Sequence, residues 1–216
     1  MVAIHLQGPV WFFGVDASLE AFAVIIALSV AIASFKVYRM TREKRFAYFT
    51  ASFVLLTLSF LARAITDALL EEIVLKVPSA MNGLIFFSGY VSHILLALTA
   101  YLLLIIITHK ITDKRIIALL FLILVPSLLI SGSYFLSFYG LSAIFLAFVT
   151  LAYFQNYRKV CSAASCLVFI AFALITVAQV LFLLESVRQY LYVLAHIVQA
   201  AGYLALLVAL IKTLLK

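Results

Sequence analysis

Seven apolar stretches account for about three quarters of the chain, at roughly 17–38, 46–70, 84–109, 115–131, 135–156, 163–185 and 189–212. A helix needs about 20 mainly apolar residues to cross the hydrocarbon core of a bilayer. The pattern therefore predicts an all-α integral membrane protein, a bundle of seven transmembrane helices with residues 1–216 forming a single transmembrane domain. The fourth stretch is the shortest; Pro126 predicts a kink in it and Ser131-Gly132-Ser133 a turn at its end. Hydrophobic residues make up 68% of the chain and charged ones 11%, against nearer half and a quarter in soluble domains. Lipid is the only solvent that suits such a surface, so the bilayer is the first expected partner. The formal charge of +7 does not point to nucleic acid, because charge in a membrane protein is read by position.

Position is informative. Lys36, Arg39, Arg42, Lys44 and Arg45 fill the first loop, Lys110, Lys114 and Arg115 the third, Arg158 and Lys159 the fifth, and Lys212 and Lys216 the end. That is twelve of the fifteen basic residues on one side, leaving Arg63, Lys76 and Arg188. The opposite side carries Asp16, Glu20, Asp67, Glu71, Glu72 and Glu185. By the positive-inside rule the basic side is cytoplasmic, which predicts an N-out, C-in protein of the cell membrane. The first 17 residues hold no Lys or Arg and do not read as a cleavable signal peptide. Trp11, Phe12 and Phe13 read as an outer interfacial anchor, and Cys161 and Cys166 as reduced, packing thiols.

An internal repeat is visible. The first stretch ends Phe35-Lys-Val-Tyr38-Arg39 and the fifth Phe154-Gln-Asn-Tyr157-Arg158. The second ends Leu69-Leu70-Glu71 and the sixth Leu183-Leu184-Glu185. The third carries Tyr90 and His93, then Tyr101; the seventh carries Tyr192 and His196, then Tyr203. The order predicts a parallel 3+1+3 arrangement, helices 1–3 and 5–7 with helix 4 as linker. That layout resembles sugar-exporter and PQ-loop transporters and, more distantly, opsins, and transporters do use parallel repeats about an axis along the membrane normal. The resemblance is one of architecture. The chain has no Pro-Gln pair, and its seventh helix offers no midmembrane Lys for a retinal Schiff base, only Lys212 at its end, so no retinal is expected.

Charged and imidazole groups at hydrocarbon depth are costly and default to functional candidates. Counting ~1.5 Å per helical residue from the basic loops, His93 lies ~25 Å above Lys110 and His196 ~24 Å above Lys212. On the same count Arg63 lies ~27 Å above Arg45, Glu20 ~24 Å above Lys36 and Gln179 ~30 Å above Lys159. A polar slab in the outer leaflet follows. Two neutral imidazoles at equal depth, one per half, form the arrangement that ligates a b-type haem, with Gly89 leaving room for the macrocycle, Arg63 and Arg188 facing its propionates and Gln199 orienting the His196 ring.

Three readings compete. The first is a b-type cytochrome, with haem iron held by His93 and His196 and electron transfer to an extracytoplasmic or quinone redox partner. The second is an opsin- or transporter-like receptor or carrier holding a small polar ligand among Arg63, Asp67, Tyr90, His93, Gln179, His196 and Gln199. The third is an accessory subunit of a larger complex or oligomer, in which the slab only fixes helix packing. None makes the chain an enzyme by itself. No His-Glu-x-x-His, phosphate-binding glycine loop or Gly-x-Ser-x-Gly is present, and two histidines are too few protein ligands for a tetrahedral zinc site.

Overall fold

The computed structural model describes residues 9–12, 14–73, 79–129, 134–185 and 187–214. Among them every regular element is helical: a 3₁₀ turn at Val10–Phe12, then α1 (Val15–Thr41), α2 (Lys44–Ile73), α3 (Ser79–Thr108), α4 (Lys114–Leu129), α5 (Tyr134–Val160), α6 (Ala163–Leu183) and α7 (Tyr190–Leu214). All seven expected helices form, most of them a turn longer than their apolar stretches. Six are long and apolar enough to cross a membrane, all but α4. At 16 residues, α4 is ~24 Å long, short of the ~30 Å hydrocarbon core. The chain is thus a helical multi-pass membrane protein with six helices of crossing length. The turn expected at 131–133, the connection at 74–78 and Phe13 of the expected interfacial anchor lie outside the described residues.

Chain order dictates the packing. α1 lies on α2, α2 on α3, α3 on α5, α5 on α6, α6 on α7, and α7 returns to α1. The six long helices thus close a ring, and α4 packs mainly against α3 and α5 at its margin. Inside the ring Phe53, Leu98, Leu102, Leu146, Phe182 and Tyr203 are fully buried. Outside it, apolar side chains such as Ile25 and Leu122 remain uncovered, as expected where lipid tails complete the packing. Two glycines let neighbouring backbones approach. A methyl on Gly89 would lie 2.8 Å from Thr66 Cγ2 of α2, and one on Gly202 would lie 2.7 Å from Ile175 Cγ1 of α6, the small-residue contact that packs membrane helices. Stacked rings join α5 to α6, Tyr139 on Phe182, Tyr153 on Phe172 and Tyr157 on Phe169.

The helix ends follow local rules. Ser162 accepts from the Ser165 N–H at 3.1 Å and Ser165 Oγ accepts from the Ser162 N–H at 3.2 Å, a capping box that starts α6. Asp16 Oδ1 accepts from the Gly14 and Ala17 N–H groups. The two similar sequence endings terminate alike. Arg42, four residues after Tyr38, turns into the left-handed region at φ 58° and donates its N–H to the Tyr38 carbonyl at 2.8 Å. Cys161, four residues after Tyr157, does the same at φ 50° and 2.8 Å. Neither residue is glycine, so each stop carries backbone strain of about 1 kcal/mol. Arg42→Gly and Cys161→Gly are each expected to stabilise the fold by up to about 1 kcal/mol, read as a rise in the unfolding temperature of the detergent-purified protein; a fall at either position would contradict this account of the helix stops.

Candidate functional site

At the end of the bundle opposite the basic clusters, one cation organises the interior. Arg63 of α2 is buried, 6% exposed. Its Nε contacts Glu20 Oε1 of α1 at 2.5 Å and Asp67 Oδ2, one turn along α2, at 3.7 Å. The Glu20 contact is one of charge rather than an aligned hydrogen bond. Arg63 Nη2 donates to the Tyr192 hydroxyl of α7 at 3.3 Å, and that hydroxyl donates to Asp16 Oδ2 of α1 at 3.3 Å. The Tyr90 hydroxyl of α3 donates to Asp67 Oδ1 in a short hydrogen bond. Four helices therefore meet on one guanidinium and three carboxylates. Asp16 and Glu20 are buried and Asp67 nearly so. Glu20 Oε2 has no hydrogen-bond partner among the described residues.

The histidines flank this cluster in unlike settings. Ser59 Oγ donates to the His93 carbonyl at 2.9 Å, so its lone pairs face the ring, and His93 Nδ1 donates to that Oγ at 2.8 Å with the Ser59 carbonyl 3.1 Å away. A carbonyl only accepts, which fixes the proton on Nδ1 and leaves Nε2 as the lone-pair nitrogen. His196 sits in an aromatic cage of Phe12, Tyr192 and Phe182, with ring centroids 5.6, 4.6 and 4.9 Å away. Both Nε2 atoms are buried without a hydrogen-bond partner among the described residues.

Those free nitrogens suit axial ligation of a haem; the space around them does not. His93 packs on Phe138 at 5.1 Å, Phe138 on Tyr139 at 5.1 Å, Tyr139 on Phe182 at 4.9 Å, and Phe182 on His196. A macrocycle held by both histidines would displace this run of buried rings. The room expected at Gly89 is taken by the Thr66 side chain. Arg188 is exposed beyond the end of α6 and among the described residues forms no ion pair with the carboxylates of the cluster, which engage Arg63.

The other candidates divide. Asp67 and Tyr90 join Arg63 directly. Gln179 is buried, its Oε1 without a hydrogen-bond partner among the described residues. Gln199 makes no hydrogen bond to His196 Nε2. Asp16, Tyr192, Tyr139 and Ser59 belong to the site and were not singled out from sequence. The available signal was helical spacing, since Asp16 precedes Glu20, Ser59 precedes Arg63 and Tyr192 precedes His196, each by four residues on a shared face. Phe12, expected at the membrane interface, is 4% exposed and seals the bundle over His196, whereas Trp11 is 71% exposed. Among the described residues no group of three or more His, Cys, Asp and Glu side chains is placed to hold a metal ion.

Glu185, at the rim after α6, has a buried Oε2 without a hydrogen-bond partner among the described residues. Loss of hydration raises its pKa from 4.5 to about 7, against the lowering pull of Arg63. An acid with a raised folded-state pKa stabilises the fold below its unfolded value and loses that contribution as pH rises through the folded one. The unfolding temperature is expected to fall between pH 4.5 and about 7, and Glu185→Gln to flatten that slope; a slope equally steep in the variant would show that another group causes it.

No protein-family model, curated protein or solved structure matches this chain.

Proposed function

We propose that the chain is a seven-helix membrane protein of the N-out, C-in, 3+1+3 type that binds a small, positively charged polar ligand in its outer half, as a receptor or carrier. The packing of each outer triplet in chain order and the marginal place of α4 support the 3+1+3 layout. The twelve basic residues at one end support the orientation.

The observation that carries the binding reading is charge imbalance. Two carboxylates, Glu20 and Asp67, pair with one guanidinium, and a third, Asp16, is linked to it through the Tyr192 hydroxyl. Fully ionised they leave an excess of two negative charges in a medium where an unpaired buried charge costs several kcal/mol. Such an excess draws in either protons or a cation. Glu20 Oε2, buried and without a partner among the described residues, is the acceptor a ligand ammonium group would engage, and the aromatic rings of Tyr192 and Phe12 nearby provide the faces cations favour. The aromatic faces beside the carboxylates suit an organic cation, an amine or a quaternary ammonium compound.

Purified protein melted against a panel of small amines, amino acids and quaternary ammonium compounds is expected to give a thermal shift with at least one of them. Ligand at ten times its dissociation constant adds about 1.4 kcal/mol of stability. Glu20→Gln keeps the side-chain shape and is expected to abolish the shift, whereas Arg63→Ala strands two buried carboxylates and is expected to cost about 3–5 kcal/mol. Flat curves across the panel, or a shift that survives Glu20→Gln, would reject the reading. A Soret band that disappears in both His93→Ala and His196→Ala would replace it with the haem one.

A further inference from the structure

The opposite end of the same ring is not closed. Between the basic termini of the helices lies a cavity of about 750 Å³, within the ~300–1,000 Å³ of small-molecule sites. All six ring helices line it. Its floor is apolar, formed by Val30, Phe49 and Leu206, of which Val30 and Leu206 are 3% and 4% exposed. Its wall along α1 runs from Val30 to Val37, ~10 Å in depth. Its rim is polar and exposed: Arg45 from α2, Lys110 after α3 and Asn156 from α5.

We infer that this cavity binds an anionic amphiphile, its acyl chain in the apolar floor and its carboxylate or phosphate between Arg45 and Lys110. The polarity gradient selects the class. A small hydrophilic solute would leave Val30, Phe49 and Leu206 in contact with water, and a neutral alkane would leave both rim cations unused. Arg45 also faces Glu43 in an ion pair, but both side chains are largely exposed, 65% and 47%, and exposed pairs of this kind hold their partners weakly. Arg45 is therefore free to exchange Glu43 for a ligand headgroup. Lys36, Arg39, Arg42 and Lys44 add to the positive field at this end, which concentrates anionic headgroups from the adjoining leaflet. The inference uses none of the Arg63 cluster, so either site can fail without the other.

The probe is cis-parinaric acid, a fluorescent fatty acid, titrated into the full-length protein in an uncharged maltoside detergent. Saturable binding is expected, competed by oleate and not by oleyl alcohol, and at least tenfold weaker in Arg45→Gln/Lys110→Gln. Ala33→Trp, which fills the cavity from α1, is expected to remove it. Should that variant fail to fold, the rim variant, at exposed positions, still decides, and matching unfolding curves confirm its integrity. Native mass spectrometry with phosphatidylglycerol and phosphatidylcholine separates the sources. Retention of phosphatidylglycerol alone with weak parinaric acid binding assigns the site to a membrane lipid, and the converse to a free fatty acid. Equal competition by oleyl alcohol, equal retention of both phospholipids together with unaltered parinaric acid binding in the rim variant, or no saturable binding at all would overturn the inference.

Discussion

A guanidinium at 6% exposure inside an apolar bundle is the interaction on which the rest of this structure depends. Protein side chains cover it almost completely, so water does not solvate it. Its partners must come from the protein, and they arrive from α1 through Glu20, from its own helix through Asp67 and from α7 through Tyr192. Each partner is itself held, Asp67 by Tyr90 of α3 and Tyr192 by Asp16 of α1. The register of four helices is thereby tied to one charge. A purely apolar interface gives no such register, because lipid tails compete for it on equal terms.

The ring then has two unlike ends on one axis. At the acidic end side chains converge, sealed by Phe12 and by the His196 cage. At the basic end they diverge around a cavity floored by Val30 and Leu206. Between the ends a plug of Phe53, Leu98, Leu102 and Tyr203 is packed without solvent exposure. Electrostatics explains the difference in part. Opposite charges draw helices together around Arg63, whereas at the other end almost every charge is positive, and like charges lose least when they stand apart in solvent.

Helices α1–α3 and α5–α7 each pack in chain order and differ in their interiors. His93 is bound to Ser59 through Nδ1, whereas His196 is surrounded by rings. Aligning the Leu-Leu-Glu endings of α2 and α6 puts Val177 opposite Arg63, and Val177 is 50% exposed. The second half has no counterpart of the organising charge. Symmetry in the positions of the histidines therefore does not become symmetry in what surrounds them, and the proposal of a shared cofactor plane weakens for that reason.

Length and polarity decided in advance that the chain would be helical and membrane-embedded and where its helices would run, because each depends only on residue type and on the fixed rise of a helix. The Arg63–Asp67 pair was readable for the same reason, both residues lying on one helix face. That Glu20 rather than Asp67 makes the closer contact with Arg63, that Thr66 fills the notch at Gly89, and that a run of aromatic rings links the histidines depended on rotation of each helix about its axis. Rotation is set by packing between segments far apart in sequence, and in a chain where nearly every face is apolar the hydrophobic pattern does not encode it.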